Sequence, residues 1–137
     1  MALPENVTKL FQGKNYGIVT TRRRDGTPHS TPVWIDSDDD HVLFNTAIGR
    51  AKERHLRNDP WVSITVLPSE NLQSGYVTVY GKAVEFDDSS AADDHIDKMA
   101  QKYVGEEKYP WRGPGERRVI VKIDPERYDG FGAGAVD

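Results

Sequence analysis

The chain has no cysteine among its 137 residues. Without cysteine the protein cannot form a disulfide, use a thiolate nucleophile, or hold an iron–sulfur cluster or a cysteine-ligated zinc. Its four histidines, His29, His41, His55 and His95, lack the close pairing of a helical metal site. Carboxylates gather at residues 36–40 and 87–88 in turn-like settings, without the spacing of a calcium loop. We therefore expect no metal site, and we expect the histidines to be surface residues.

An excess of positive charge is also missing. The chain has 18 Lys and Arg against 22 Asp and Glu, which gives a formal net charge of −4. Nucleic acids and lipid headgroups attract positively charged proteins. The charge balance therefore argues against a protein that coats either, and we predict no nucleic-acid and no membrane partner.

Long hydrophobic runs are absent from the sequence. Residues 1–15 contain Pro4, Glu5, Lys9 and Lys14 and so lack the apolar stretch of a signal peptide. No later segment approaches the ~20 apolar residues that a membrane helix needs. We expect a cytoplasmic protein.

Because the chain is shorter than the usual ~150 residues of a domain, we expect one domain over residues 1–137, with a flexible Gly-rich end at 130–137.

Several segments alternate apolar with polar residues, or are rich in β-branched and aromatic side chains, as strands are. They predict six strands, at residues 16–21, 28–36, 41–44, 61–67, 76–80 and 119–123. Arg22 to Gly26 supplies a hairpin turn after the first strand, and Asp124-Pro125 ends the last. Pro32 cannot donate a ladder hydrogen bond, so it indicates either a plain edge strand or a rim that faces a ligand.

Two segments have helical composition. Residues 50–58 are anchored by Leu56 alone, whereas the helix after Asp88-Ser89-Ser90 places four apolar residues on one stripe: Ala92, Ile96, Met99 and Tyr103. Gly105 is a natural left-handed terminator. Six strands with two or three short helices and no regular alternation predict a mainly β protein, a small antiparallel barrel with helices outside.

The segment from Thr46 to Arg57 is unusually basic for an acidic chain. It contains Arg50, Lys52, Arg54 and Arg57 against Glu53 alone. Cations at a helix start oppose the macrodipole, and a bound phosphate would resolve that conflict by accepting from Arg, Lys and free backbone N–H groups. Gly49 would let the backbone approach such an anion closely. The alternative is a solvated helix face, and both interpretations stay open.

A set of short motifs resembles one family. They are residues 17–21 (GIVTT), 25–28 (DGTP), 30–34 (STPVW), 49–52 (GRAK) and 57–60 (RNDP). In this order and spacing they resemble the pyridoxamine 5'-phosphate oxidase-like flavin and deazaflavin oxidoreductases, over residues 8–128. Residues 109–112 (YPWR) and 115–119 (GERRV) resemble the subgroup that uses the deazaflavin coenzyme F-420.

The resemblance implies an FMN-binding-like split β-barrel homodimer of six antiparallel strands, with two cofactor sites between the subunits. By the same analogy Arg50 and Lys52 would hold the cofactor phosphate, with Thr46 and Ala47 contributing from the preceding loop, and Ala51 would be a further cofactor-binding residue. The implied ring-side and partner-side contacts are Thr31, Pro32, Val33 and Trp34 beside the ring system, and Tyr76, Trp111 and Arg117 from the partner subunit.

The activity implied by the resemblance is hydride transfer from reduced F-420 to an electron-poor small molecule such as an enone or a quinone. FMN-dependent oxidation or reduction on the same fold is the first alternative, and a noncatalytic cofactor carrier is the second. The aromatic strand residues could stack on a planar cofactor or fill the core. No acid is clearly placed to protonate a product, so the sequence names no catalytic residue.

Overall fold

The computed structural model describes residues 1–132, which form three helices and six strands. The helices are α1 (Glu5–Gln12), α2 (Ala51–Asn58) and α3 (Ser90–Val104). The strands are β1 (Tyr16–Arg22), β2 (Pro28–Ser37), β3 (Val42–Ala47), β4 (Trp61–Leu67), β5 (Gly75–Asp87) and β6 (Arg118–Gly132). Within this part of the chain no helix is both long and apolar enough to span a bilayer.

The six strands form one closed antiparallel barrel in the order β1-β2-β3-β6-β5-β4, which confirms the predicted fold. β2 pairs with β1 from Pro28 to Trp34, but with β3 only from Ile35 to Ser37. Pro32 lies opposite Ile18 of β1, in the part of β2 that has no ladder with β3. A proline is tolerated there because its missing N–H leaves no carbonyl of a neighbouring strand unpaired.

The barrel interior is filled by the inward side chains of the alternating strands, such as Ile35, Phe44 and Ile64. α1 closes the barrel because Val7 and Phe11, four residues apart on one helical face, are fully buried in the same core. α1 is not among the helices predicted from the sequence.

α3 packs outside the barrel as predicted. The Ser89 side chain accepts from the Ala91 N–H at 3.3 Å and caps the helix, and Gly105 ends it with φ of 74°. The predicted stripe of Ala92, Ile96, Met99 and Tyr103 is buried. Through it the helix covers the outer face of the sheet beside the site described below.

Three strands extend by more than one residue past their predicted ends. β3 runs on through Thr46 and Ala47, which pair with Val119 and Arg118, so these residues are not in a loop. β5 continues past Tyr80, and β6 continues past Asp124-Pro125 because register shifts in the β5–β6 ladder accommodate the proline. β6 includes residues 130–132, and the rest of the predicted flexible end, 133–137, lies outside the described residues.

Candidate functional site

A cavity of about 280 Å³ lies where β2 separates from β3. Twelve residues line it, from β1, β2, β3, the start of α2, α3, the loop before β6 and β6 itself: Tyr16, Pro32, Val33, Trp34, Asn45, Thr46, Arg50, Lys52, Ile96, Tyr109, Trp111 and Arg118. Pro32 is therefore on an edge of β2 that does not pair with β3, and it also lines the cavity. The cavity lies beside the start of α2, which contributes Arg50 and Lys52 to its lining.

One wall of the cavity is basic, because Arg50, Lys52 and Arg118 converge there. Burial lowers the pKa of Lys52, and the positive charges of Arg50 and Arg118 lower it further. Glu116 supplies a partial counter-charge, since its two carboxylate oxygens lie 3.3 Å from Arg50 Nη2 and 3.1 Å from Arg118 Nη1. Three cations thus face one carboxylate, an arrangement that an anionic ligand would stabilise.

The start of α2 fixes how Arg50 and Lys52 reach this wall. Gly49 has φ of 95°, a conformation that favours glycine, and its N–H donates to Glu53 Oε1 at 2.8 Å. A Cβ at Gly49 would meet no described atom within 4 Å, so the turn geometry and not a close protein contact explains this glycine. Glu53 is buried, and although burial raises its pKa, the hydrogen bonds from Gly49 and Arg57 hold it below the usual range.

A buried hydroxyl in the cavity has no partner. Thr46 is 1% exposed, and its Oγ1 makes no hydrogen bond within the described residues. An unpaired buried hydroxyl costs about 1–3 kcal/mol, so such groups normally have a ligand or water partner. Thr46 lies on the same cavity lining as Arg50 and Lys52. A phosphate fits these residues, because it would accept from the hydroxyl and from both cations.

Another part of the lining is aromatic, and it adjoins the basic wall because the Arg118 guanidinium lies over the Tyr109 ring, 5.1 Å from its centroid. The Trp34 ring stacks on Tyr103 with centroids 5.1 Å apart and an interplanar angle of 7°. Tyr109 and Trp111 pack edge-on or tilted against Trp34, with centroids 6.0 and 6.3 Å from it. Trp111 remains 60% exposed. A cavity with one cationic and one aromatic wall suits a flat ring system that carries a phosphate.

The structure brings most of the predicted site residues together. Those that line the cavity are Pro32, Val33, Trp34, Thr46, Arg50, Lys52 and Trp111. Trp111 differs from its prediction, because it lines the cavity of its own chain and was expected to reach the site from the partner subunit. Thr31, Ala47 and Ala51 are their neighbours in the chain but do not line it. Tyr76 packs against Phe131 on β5 and β6, and Arg117 pairs with Asp88, so neither faces the cavity of its own subunit.

Five lining residues were missed: Tyr16, Asn45, Ile96, Tyr109 and Arg118. Tyr109 and Arg118 lie inside the motifs that resemble the F-420 subgroup, so the signal was present for them. Asn45 follows a predicted strand, and extending that strand by one residue would have found it.

Two polar side chains assigned to the surface are also buried. The His95 and Asp36 side chains are each 9% exposed and contact one another, His95 Nε2 to Asp36 Oδ2, at 3.1 Å. The expectation of a surface histidine is therefore wrong for His95. Asp36 lies in β2, as the predicted strand 28–36 has it, so the turn-like setting expected for its carboxylate is wrong.

Comparisons with known proteins show the family and the fold. The sequence model described as pyridoxamine 5'-phosphate oxidase matches residues 3–131. Among solved structures, an F-420 reductase superposes with a TM-score of 0.78 at 26% identity, covering 93% of this chain and 98% of its own.

Two further solved structures show the same fold. A conserved hypothetical protein of Mycobacterium tuberculosis has a TM-score of 0.74 at 20% identity, covering 97% of this chain and 87% of its own. General stress protein 26 of Bacillus anthracis str. Sterne has a TM-score of 0.68 at 22% identity, covering 92% and 91%. No curated protein matches the sequence. The extent of the family match shows that the chain belongs to the pyridoxamine 5'-phosphate oxidase family.

Proposed function

We propose that the protein is an oxidoreductase that binds coenzyme F-420 and transfers a hydride from it to an electron-poor small molecule such as an enone or a quinone. The observation that carries the proposal is the unpartnered Thr46 hydroxyl, which shares a cavity with Arg50 and Lys52 and with aromatic side chains. The likeness to an F-420 reductase over 93% of the chain supports this cofactor.

In this proposal Arg50, Lys52 and Thr46 hold the cofactor phosphate. The N–H groups of the first turn of α2 have no carbonyl four residues before them in the helix, so they can also donate to an anion. Reduced F-420, when bound, supplies the hydride from C5 of its ring system. Residues 31–34 run beside the ring, and Trp34 with Trp111 limits the access of water on that side.

FMN is the second candidate cofactor, and the charge of the cavity favours it. Arg50, Lys52 and Arg118 against Glu116 leave two positive charges in excess. A phosphate monoester carries a charge of about −1.5 to −2 at neutral pH, which matches that excess. The same Thr46 hydroxyl and aromatic wall would serve an isoalloxazine ring.

A fluorescence titration tests the proposal. Trp34 and Trp111 line the cavity, while Trp61 lies under the Arg22 guanidinium on β4, so a Trp61→Phe variant removes the background signal. We expect F-420 to quench the remaining fluorescence with a lower Kd than FMN. Tighter binding of FMN would favour the second candidate, and binding of neither would refute the proposed function.

Turnover then separates an enzyme from a carrier. Reduced F-420 mixed with the protein and a panel of enones and quinones should be oxidised faster than in the absence of protein, with loss of its reduced-state absorbance. Tight binding without any acceleration across the panel would instead support a noncatalytic cofactor carrier.

The lowered pKa of Lys52 predicts how cofactor affinity depends on pH. Only protonated Lys52 attracts the phosphate, and the free protein loses that proton at a lower pH than an ordinary lysine does. Affinity should therefore be constant while Lys52 is charged and should fall as pH rises through its pKa, at most about tenfold per pH unit. Lys52→Arg should abolish this alkaline decline because arginine stays charged. An equal decline in both proteins would contradict the role of Lys52.

We also propose that the protein forms a homodimer in which Tyr76 and Arg117 approach the cavity of the partner subunit. Tyr16 and Ile18 on β1 and Phe131 on β6 are exposed large apolar side chains, and dimerisation would bury side chains of this kind. Light scattering coupled to size exclusion should give twice the mass of one chain, and a monomer mass would refute the dimer.

A further inference from the structure

A buried chain of polar side chains runs from Arg118 to Asp36. Arg118 Nε donates to Asn45 Oδ1 at 2.9 Å, and Asn45 Nδ2 lies 3.1 Å from His95 Nδ1. His95 Nε2 lies 3.1 Å from Asp36 Oδ2, and Lys98 Nζ lies 3.5 Å from the same oxygen. The chain therefore joins β6, β3, α3 and β2, and its first two members line the cavity.

The donors and acceptors allow one arrangement of this chain. Asn45 Oδ1 must face Arg118, which can only donate, and Asn45 Nδ2 also donates to the Ala92 carbonyl at 2.9 Å. His95 Nδ1 must then accept from Asn45, so the imidazole is neutral and its Nε2–H donates to Asp36. If the Asn45 amide were rotated by half a turn, its NH2 group would face the Arg118 Nε–H, so two donors would meet. Its oxygen would face the Ala92 carbonyl, so two acceptors would meet.

The hydrogen bonds from Arg118 to Asn45 and Glu116 hold its guanidinium in one position. Arg118 is 4% exposed, and its Nε and Nη1 are engaged by Asn45 and Glu116. Its Nη2 makes no hydrogen bond to any other described residue, while the side chain lines the cavity beside Arg50 and Lys52. A buried arginine with a free N–H on a cavity wall is suited to an anionic oxygen.

We propose that Arg118 is a third anion-binding residue of the cavity, and that Asn45, His95 and Asp36 are positioning residues that aim its guanidinium at the ligand. The inference deepens the proposed function, on which it rests only for the identity of the cofactor. The buried chain itself is tested with inorganic phosphate.

The imidazole state is tested by ¹⁵N NMR of the protein without cofactor. The His95 signals should show a protonated Nε2 and an unprotonated Nδ1 at neutral pH. A protonated Nδ1, in either the other tautomer or the imidazolium, would overturn the arrangement. This result does not depend on which cofactor binds, so it separates failure of this inference from failure of the proposed function.

The positioning role is tested by a double-mutant cycle on phosphate affinity. Arg118→Met removes the charge at similar length, and Asn45→Leu removes the hydrogen bonds at similar volume; each protein is first shown to be folded by its thermal transition. We expect Arg118→Met to weaken inorganic phosphate by about tenfold or more and Asn45→Leu by about three- to tenfold. In the Arg118→Met background, Asn45→Leu should have no further effect, because it acts through Arg118.

The cycle tests the positioning role of Asn45 and the binding role of Arg118 separately. Equal weakening by Asn45→Leu in both backgrounds would show a general disturbance of the cavity and overturn the positioning role. Phosphate affinity unchanged by Arg118→Met would overturn the binding role. If the cycle behaves as expected but neither F-420 nor FMN binds the unaltered protein, the anion site is supported and the proposed cofactors are refuted.

If the Asn45→Leu protein does not fold, the Asn45→Asp variant replaces it. Its carboxylate still accepts from Arg118 but cannot donate to neutral His95, so His95 Nδ1 should become protonated; an unchanged His95 spectrum would overturn the chain.

Discussion

Replacing Arg50 and Lys52 together by alanine is expected to weaken cofactor binding by about 100-fold to 10,000-fold. Each residue would contribute a charge-assisted hydrogen bond to the phosphate, and the loss of one such bond costs about 1.5 to 3 kcal/mol. The fold should be retained, because removing Lys52 also relieves the repulsion that lowers its pKa next to Arg50 and Arg118. Calorimetry with F-420 and with FMN measures the effect.

A matched control for this double variant is Arg24→Ala with Arg54→Ala. It changes the net charge by the same amount, but both side chains are exposed and line a different, basic groove between α2 and the β1–β2 hairpin. The control should bind the cofactor within about twofold of the unaltered protein, because exposed charges are screened by solvent and salt. Equal losses in the two double variants would mean that net charge, and not the cavity, attracts the cofactor.

Phe11→Ala is expected to lower the free energy of unfolding by about 3 to 5 kcal/mol, out of the ~5–15 kcal/mol typical of such domains. Phe11 is fully buried and, with Val7, carries the packing of α1 into the barrel. Truncation would leave a cavity that the surrounding strands cannot fill, since their hydrogen-bonded ladders fix their spacing. Denaturant titration should show a lower midpoint.

Gln12→Ala is the control for this change, since Gln12 is an exposed residue of the same helix. It should change stability by less than about 0.5 kcal/mol. A loss below 1 kcal/mol for Phe11→Ala would show that α1 does not close the barrel in solution.

The sequence predicted the strands well where local chemistry defines them. The β1–β2 hairpin has its turn residues at Asp25-Gly26, and α3 has both its serine cap and its glycine terminator. The ends of β5 and β6 were predicted too short, because their pairing depends on register shifts between distant residues. Asp124-Pro125 is a usual strand terminator, and only the partner strand shows why it is tolerated here.

α1 could not be predicted from its own sequence with the same ease. Only Val7 and Phe11 are buried in it, so its apolar pattern is too short to distinguish a helix from an interrupted coil. Its burial depends on the open end of the barrel, which exists only after the strands have paired.

The candidate site, like the fold, could be predicted from the sequence only in part. Arg50, Lys52 and Thr46 are close in sequence, so an anomalous cluster of charge was enough to find them. Arg118 lies more than 60 residues away, and it joins them because β6 pairs with β3. His95 and Asp36 lie on different elements, and no spacing rule connects them. Long-range strand pairing therefore contributes what the local pattern cannot.

The central claim is that the cavity beside the start of α2 binds the phosphate of a redox cofactor. A crystal structure of the protein with F-420 tests this most directly. We expect phosphate oxygens within hydrogen-bond distance of Thr46 Oγ1, Arg50 and Lys52, with the ring system beside residues 31–34. A cofactor bound elsewhere, or a cavity occupied by solvent while Arg50 and Lys52 point away from it, would contradict the claim.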